Sequence, residues 1–273
     1  MMNITDSEFK KISELVYTRY GINLTDKKKS LVVSRLQKLL RTEGFVNFDS
    51  YYQHLLSDKT GKGLTELVNR ISTNFTYFWR EPDHFEHLKN VVLPELAQKL
   101  KAKNDHDIRL WCAAAATGEE PYMLAMVMRD FLGADAYKWK GGLLATDISD
   151  RALQVAQKGI YPSKTLNKLP PHYLKKYFKK VSDDEWQVVD EIRNDVTFRK
   201  FNLMGPLTFK KKFHIIFCRN VMIYFDVPTK DGLVQRLYDG TEDEGYLYIG
   251  HSEALGRNKC PYKYVNPALY RKI

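Results

Sequence analysis

Three carboxylates follow two short apolar stretches of the chain, where they could serve a ligand that contains a nucleoside. A segment of small residues, 113–118, separates the apolar stretch 108–112 from a helical pattern that opens with Glu119 and Glu120. Asp147 ends the next apolar stretch. Open α/β sheets bind ligands at the carboxyl ends of their strands, where small residues let the backbone approach closely. A carboxylate there can accept hydrogen bonds from both ribose hydroxyls, so the pattern predicts a nucleoside site.

The charge at the helix start indicates which nucleoside cofactor fits. A dinucleotide pyrophosphate needs amide donors at a helix N-terminus, and Glu119 and Glu120 would repel it. S-adenosylmethionine has no phosphate and carries a cationic amino group, so acidic residues suit it. The pattern favours a methyltransferase over a dehydrogenase. A purely structural alternative stays open, because small residues also let a helix pack closely and acidic residues are common at helix starts.

The elements that must position these residues begin with a helical segment. Thr5 predicts the start of a first helix and Gly21 its end, and Thr25 or Asp26 is expected to cap a second that runs to Gly44. A third helix fits residues 48–56, and a fourth begins near residue 63. No strand pattern occurs in this part, which predicts a small helical domain.

The pattern changes at about residue 107, where short apolar strands begin to alternate with helices. Strands are expected at 108–112, 143–146, 213–217 and 246–249, and helices at 119–131 and after residue 226. This alternation predicts a mostly parallel sheet with helices on both faces. The last stretch, 262–273, predicts an antiparallel hairpin. Between 159 and 202 prolines break the rhythm, and a helix at 173–178 with strands at 186–189 and 196–198 indicates a small β insertion.

Composition restricts the setting in which the protein works. Lysine and arginine number 43 against 33 acidic residues, a formal net charge of +10 that favours an acidic partner. Cys112, Cys218 and Cys260 are an odd number without a C-x-x-C pair, which indicates a reduced compartment. No apolar run is long enough to span a membrane, and the first residues lack a signal-peptide pattern. We therefore expect a cytoplasmic protein without membrane insertion, and nothing in the sequence demands more than a monomer.

Five sequence segments resemble the chemotaxis receptor methyltransferases, the CheR family, and occur in the family's order. They are STNFTYFWRE at 72–81, TGEEPY at 117–122, ATDIS at 145–149, FCRNVMIYF at 217–225 and GHSE at 250–253. The resemblance implies an α/β, Rossmann-like methyltransferase domain that binds S-adenosylmethionine. A small β-subdomain is inserted in it, and an N-terminal helical domain precedes it. On this chain the parts would be a helical domain over 1–72, a linker and helix over 73–106, and a methyltransferase domain over 107–273 with its insertion at about 160–200.

The resemblance also implies a reaction and the residues that carry it out. The reaction would be methyl esterification of glutamate side chains on the cytoplasmic helices of chemoreceptors, with S-adenosylhomocysteine as the second product. Arg80 would orient the incoming carboxylate, and Tyr224 would flank the reacting methyl group. The residues expected to bind the cofactor are Asn74, Thr76, Arg80, Glu119, Glu120, Asp147, Asn202, Leu203, Arg219 and Asn220.

One departure from the family pattern concerns the loop after the first strand. The family has roughly A-G-C-S-T-G-E-E-P-Y there, whereas this chain has alanine at 114, 115 and 116. If the glycine position needs a positive φ angle, Ala114 adds strain of about 1 kcal/mol, and cofactor affinity falls. The alternative function is therefore a non-catalytic family member that acts as a signalling adaptor.

Basic residues of the second helix are candidates for contact with the receptor. Lys28, Arg35, Lys38 and Arg41 are expected on the face opposite the apolar residues, where they would contact an acidic helical bundle. The resemblance agrees, because the family uses this region for receptor contact. The insertion lacks the glycine-rich loop of members that bind a receptor's C-terminal peptide, so we expect no such tether.

Two other binding activities are not expected. His84 and His87 lie at helical spacing beside acidic residues, a pattern more typical of a solvated helix than of a metal site. His251 is expected to support the end of the sheet. The sequence also lacks interleaved aromatic and basic residues for stacking on bases, so no nucleic acid is expected as a partner.

Overall fold

The computed structural model describes residues 3–256 and 260–273, and its N-terminal part is helical. The helices are α1 (Asp6–Tyr20), α2 (Lys29–Thr42), α3 (Phe48–Ser57) and α4 (Lys62–Ile71). Thr5 caps α1 through a reciprocal bond with Glu8, and Gly21 ends it in a left-handed conformation, both as predicted. The second helix begins later than expected, because residues 26–28 form a 3₁₀ turn and Thr25 makes no side-chain cap. These helices bury their own apolar cluster, which includes Ile12, Val16, Leu36, Leu40 and Phe48.

A longer helical segment connects this part to the sheet. Residues 73–77 have no regular structure, and α5 (Pro82–His87) begins just after Arg80. A π-helical segment, Leu88–Val92, joins α5 to α6 (Leu93–Ala102). Phe85, Leu88 and Val92 are buried in the main core against the sheet, which fixes the segment that carries Arg80.

The rest of the chain alternates strands and helices, as the sequence predicted. The strands are β1 (Asp107–Cys112), β2 (Lys140–Asp147), β3 (Ile160–Pro162), β4 (Phe178–Lys180), β5 (Glu185–Val188), β6 (Val196–Lys200), β7 (Phe213–Phe217), β8 (Thr241–Tyr248), β9 (Lys263–Asn266) and β10 (Leu269–Arg271). The helices are α7 (Glu119–Leu132), α8 (Asp150–Lys158), α9 (Pro171–Tyr177), α10 (Asp190–Asn194) and α11 (Val227–Asp239).

Seven of these strands form one sheet in the order β6-β2-β1-β7-β8-β10-β9. Strands β6, β2, β1, β7 and β8 are parallel, whereas β10 runs antiparallel to β8 and to β9. The carboxyl ends of β1, β2 and β7 therefore meet at one edge, and the terminal hairpin is confirmed. None of the described helices is long and apolar enough to span a membrane.

The inserted sheet is smaller than predicted. Strands β3, β5 and β4 form a separate antiparallel sheet that spans residues 160–188. The strand expected at 196–198 does not belong to the insertion: it is β6, which pairs in parallel with β2 at the edge of the main sheet. Val196 and Phe198 bury their side chains in the main core, which explains this position.

Candidate functional site

A cleft lies between the helical domain and the carboxyl ends of β1, β2 and β7. The helical domain contributes Tyr20, Ile22, Leu24, Lys28 and Leu31 to its lining. The sheet contributes the residues that follow those three strands. Of the residues predicted to bind the cofactor, the structure brings nine to this cleft: Asn74, Thr76, Arg80, Glu120, Asp147, Asn202, Leu203, Arg219 and Asn220. Tyr224 lines it as well.

The alanine loop after β1 forms one wall of the cleft. Ala113, Ala114 and Ala116 line it. The strain anticipated at Ala114 is absent, because Ala114 is not among the described non-glycine residues with positive φ; Ala116 is, at 46°. The next turn needs Gly118, with φ of 100°, because a Cβ there would lie 2.7 Å from the Tyr161 hydroxyl. The loop therefore keeps its shape without a glycine at 114.

Asp147 ends β2 and is held rigidly at the base of the cleft. Its Oδ2 accepts a hydrogen bond from the Ala116 backbone N–H at 2.9 Å, and its Oδ1 accepts one from Ser149 N–H at 2.8 Å. Burial raises the pKa of Asp147 above its usual range, although these two amides oppose the shift. Each carboxyl oxygen can accept a second bond, so the side chain can also receive ribose hydroxyls.

Arg219 and two glutamates form a buried ionic network beside the cleft. The Arg219 guanidinium lies 2.7 Å from Oε2 of Glu120 and 3.0 Å from Oε2 of Glu81. It also donates to the Arg80 carbonyl at 2.6 Å. Burial raises the pKa of Glu120, and Arg219 opposes the rise. Burial would likewise raise the pKa of Glu81, but Arg219 and Asn220 keep it below its usual range.

The two glutamates that open α7 have different surroundings. Glu120 lines the cleft, whereas Glu119 is not among the residues that do so. The buried carboxylate of Glu119 accepts a hydrogen bond from the Thr117 hydroxyl at 2.7 Å, and burial raises its pKa. The prediction named both residues for the cofactor; the cleft receives only Glu120, because consecutive helical residues point about 100° apart.

The segment between the domains holds Arg80 in place. The Arg80 Nη1 donates to the Phe75 carbonyl at 2.9 Å, and its guanidinium lies over the rings of Phe75 and Tyr77, about 6 Å from each centroid. Trp79 and Glu81, on either side, both have positive φ, at 64° and 56°. Such backbone conformations are costly for non-glycine residues and often mark functional sites. They turn Arg80 towards the cleft.

The loop after β7 carries Asn220 and Tyr224, and a buried carboxylate fixes its shape. Glu253 accepts hydrogen bonds from the backbone N–H groups of Asn220, Met222 and Gly250 at 2.6–2.8 Å. Asn220 has φ of 57°, and a Cβ on Gly250 would lie 2.2 Å from its side-chain nitrogen. Glu253 and Glu81 both lie in family-like segments of the sequence, but nothing local to either residue predicts that it holds a neighbouring loop in place.

The helical domain contacts this loop directly. The Asn23 N–H donates to the Tyr224 carbonyl at 2.8 Å, and the Lys28 ammonium lies 5.4 Å from the centroid of the Tyr224 ring. Asn202 donates from Nδ2 to the Arg19 carbonyl at 2.8 Å. Burial lowers the pKa of Lys28. The cleft is thus closed on one side by the helical domain, as a site that excludes water requires.

The four basic residues predicted to contact the receptor do not share one surface. Lys28 lines the cleft instead. Arg35 donates to the Ile71 carbonyl at 2.6 Å, the Ser72 carbonyl at 3.0 Å and the Thr73 hydroxyl at 3.0 Å. Helix α4 packs against α2 and presents its carboxyl end to Arg35, which is why this side chain turns inward. Lys38 and Arg41 are exposed.

The histidines of α5 are not solvated as the sequence suggested. His84 is 3% exposed, and His87 Nδ1 lies 2.9 Å from the Tyr248 hydroxyl. The ring of His84 contacts the ring of His251, with 4.7 Å between centroids. His251 is exposed, and its Nε2 lies 3.0 Å from Oδ2 of Asp83, so it links the loop after β8 to α5. The two rings meet edge to face, with 80° between their planes, because this loop packs against the start of α5.

Comparison with known proteins identifies the family. The family described as CheR methyltransferase, SAM binding domain, matches residues 74–270, and the CheR methyltransferase all-alpha domain matches 7–72. The chain belongs to the CheR methyltransferase family. It is 42% identical over 272 residues to a chemotaxis protein methyltransferase of Borreliella burgdorferi, covering 99% of this chain and 96% of that one. It is 37% identical over 254 residues to the Escherichia coli chemotaxis protein methyltransferase, covering 92% and 85%.

The cleft residues suit the S-adenosylmethionine that this family binds. Asp147 has carboxyl oxygens that can accept hydrogen bonds from a ribose, and Ile148, Phe201 and Leu203 line the cleft with apolar surface of the kind an adenine ring needs. The amino-acid end of the cofactor carries one positive and one negative charge, which match the paired Glu120 and Arg219. The expected α/β methyltransferase fold, helical domain and cofactor are therefore confirmed.

Proposed function

We propose that this CheR-family methyltransferase forms methyl esters on glutamate side chains of the cytoplasmic helical bundles of chemoreceptors, and that it acts in the cytoplasm. The observation that supports this substrate most directly is the position of Arg80. Its guanidinium lines the cofactor cleft and is held by Phe75 and Tyr77. Among the described residues it forms no direct ion pair with a carboxylate, although Glu120 is near enough to interact with it electrostatically. A guanidinium that is not in direct contact with a carboxylate suits an incoming one. The relatives named as chemotaxis protein methyltransferases support the same setting.

The chemistry needs positioning and no general base. S-adenosylmethionine, when bound, supplies a methyl group on a positively charged sulfur. A glutamate carboxylate is already ionised at neutral pH, so it can attack the methyl carbon without losing a proton. The new oxygen–carbon bond forms as the carbon–sulfur bond breaks, and the electron pair of that bond stays on sulfur. The two opposite charges cancel, and no proton is transferred.

Two side chains have specific roles in this proposal. Arg80 orients the carboxylate so that oxygen, carbon and sulfur lie in line. Tyr224 packs beside the methyl group, and Lys28 lies over its ring and keeps that wall of the cleft in place. The helical domain excludes water from the reacting groups. Asp147, Glu120 and Arg219 bind the cofactor and take no part in bond exchange.

Of the four basic residues predicted to contact the receptor, only the two on the exposed face of α2 remain in the proposal. Lys38 and Arg41 are exposed on α2, about 10 and 15 Å along the helix axis from Leu31, which lines the cleft. A glutamate-rich helical bundle is attracted to such a surface, mainly through faster association at low salt. The charge reversal Lys38→Glu should therefore slow methylation more at 20 mM than at 300 mM salt. A loss independent of salt would contradict this docking surface.

The main experiment measures methyl transfer to a receptor. The full chain is incubated with S-adenosylmethionine carrying a labelled methyl group and with the cytoplasmic fragment of a chemoreceptor from the same organism. We expect the receptor to become labelled, and mild alkali to release the label as methanol. Peptide mapping should locate the label on specific glutamates. Arg80→Ala should reduce this labelling at least 100-fold. Alkali-stable label would indicate another acceptor atom, and absence of transfer despite cofactor binding would favour the adaptor alternative.

A further inference from the structure

Two histidines and a glutamate from distant parts of the chain meet next to the start of α5. Glu81 and His84 are three residues apart, and His251 comes from the loop after β8. His84 Nδ1 lies 3.5 Å from Oε2 of Glu81. One donor atom from each of the three residues lies within 4.8 Å of the other two. Ligand atoms of a tetrahedral ion bound at about 2.0–2.2 Å lie about 3.3–3.6 Å apart. The His84–Glu81 separation already matches this spacing, and the other separations would shorten by at most about 1.5 Å around an ion.

His84 supplies the independent sign that a ligand is missing from this cluster. Its side chain is 3% exposed, and neither ring nitrogen has a hydrogen-bond partner among the described residues. Buried polar groups in folded proteins are nearly always paired, so an imidazole with two unpaired nitrogens needs an explanation. Packing alone does not explain it, because an apolar ring would fill the same space without the free-energy cost of burying two unpaired nitrogens. A metal ion would satisfy one nitrogen directly.

The donor set is typical of zinc. Two imidazoles and one carboxylate are among its preferred ligands, and an incomplete set leaves a position for water. Asp83 Oδ2 lies 3.0 Å from Nε2 of His251, the kind of carboxylate contact that orients a metal-binding histidine. His251 is 44% exposed in its side chain, so an ion can reach the cluster from solvent.

The local charge also favours a cation. Glu81, Asp83 and Glu120 bring three negative charges, whereas Arg219, in contact with Glu81 and Glu120, and Arg80, near Glu120, bring two positive charges. Arg219 would stay paired with Glu120, at 2.7 Å, if one Glu81 oxygen turned towards an ion. Helical spacing relates His84 only to His87, so the sequence predicts no metal site. In the fold, the ring of His84 contacts that of His251 instead.

We propose that Glu81, His84 and His251 bind one Zn²⁺ ion or a similar late first-row divalent ion. The ion joins the first turn of α5 to the loop after β8, beside the Glu81–Arg219 pair of the cofactor cleft. This site is separate from methyl transfer, and its existence does not depend on the proposed function.

The test uses the metal alone as the probe. The full-length protein is freed of metal with a chelator and dialysed, then titrated with Zn²⁺ by calorimetry and with Co²⁺ by visible absorption. We expect one ion per chain, micromolar affinity or tighter, and the intense visible absorption that four-coordinate Co²⁺ gains when protein ligands replace water. His251→Gln should weaken Zn²⁺ binding at least tenfold, whereas His172→Gln, an exposed histidine on α9, should leave it unchanged.

Two results would overturn the proposal. One is the absence of stoichiometric Zn²⁺ binding by the unmodified chain. The other is equal binding by the His251→Gln and His172→Gln variants, which would assign the metal to unrelated surface groups. His84→Gln tests the buried ligand as well, but its folding must first be checked by circular dichroism. Because His251 is exposed, the His251→Gln variant keeps the test valid if His84→Gln does not fold.

Discussion

Arg35 connects helix α2 to the segment that leads into the cofactor cleft, and replacing it by methionine tests that connection. Its guanidinium donates to the carbonyls of Ile71 and Ser72 and to the Thr73 hydroxyl. The first two acceptors lie at the carboxyl end of α4, where a cation also suits the helix dipole. Methionine keeps most of the side chain's length and apolar contacts but provides no donor. The variant therefore isolates the hydrogen bonds.

The expected loss follows from these three bonds. Each hydrogen bond to a protein group contributes about 1 kcal/mol net, and more where the donor is charged. Because Arg35 is partly exposed, the lower figure applies, and Arg35→Met should reduce the free energy of unfolding by about 3 kcal/mol. The segment held by Arg35 continues into Asn74 and Thr76, which line the cleft. We expect affinity for S-adenosylmethionine to fall about tenfold, a change of roughly 1.4 kcal/mol.

The measurement compares two variants of the same helix. Urea unfolding followed by circular dichroism gives the free energy of unfolding, and calorimetric titration gives cofactor affinity. Lys38→Met is the matched control, because Lys38 is exposed three residues further along α2. It should change stability by less than about 0.5 kcal/mol. The reasoning is refuted if Arg35→Met is as stable as the unmodified chain, or if both variants lose the same amount.

Four further substitutions test other parts of the site. Asp147→Asn should weaken S-adenosylmethionine binding about 10- to 100-fold in calorimetry, because charged acceptors form stronger hydrogen bonds; an unchanged affinity would remove Asp147 from the ribose site. Arg80→Ala should reduce receptor methylation at least 100-fold while cofactor affinity changes less than tenfold, and full turnover would contradict its role. Ala114→Gly should lower the free energy of unfolding by about 0.5–1 kcal/mol, because the backbone at 114 needs no glycine. Tighter cofactor binding by this variant would indicate instead that the loop works better with a glycine there. Burial, reinforced by Arg109, lowers the pKa of His214 to about 4, so the folded state binds its proton less readily than the unfolded chain. The free energy of unfolding should be unaffected by His214 above about pH 6.5 and fall by up to about 3 kcal/mol as the pH drops to 4. His214→Asn should flatten this part of the pH dependence, measured by urea unfolding.

Much of the fold could be predicted because its signals are local. Thr5 with Glu8, and Gly21, mark the two ends of α1, and the apolar runs of β1, β2, β7 and β8 are short and clearly bounded. What could not be predicted was the partner of a short strand. The residues of β6 alternate like any edge strand, and only the packing of Val196 and Phe198 on the main core assigns them to the large sheet.

The site was less predictable where orientation decides the role. Glu119 and Glu120 are adjacent and chemically alike, yet only Glu120 lines the cleft. Arg35 follows the polar periodicity of α2, but the carboxyl end of α4 covers it. Glu81 and Glu253 act by holding other residues, and the decisive partners, Arg219 for Glu81 and Asn220 for Glu253, lie more than 30 residues away. Periodicity along one helix contains no information about such contacts.

The most direct test of the account is calorimetric titration of the unmodified chain with S-adenosylmethionine and with S-adenosylhomocysteine. The loop after β1 needs no glycine at 114, and its Ala116 N–H holds Asp147, so we expect one site per chain with micromolar affinity, near −8 kcal/mol, for both compounds. Absence of binding at millimolar concentrations would mean that residues 114–116 disable the cleft. The chain would then be a member of its family that signals without transferring a methyl group.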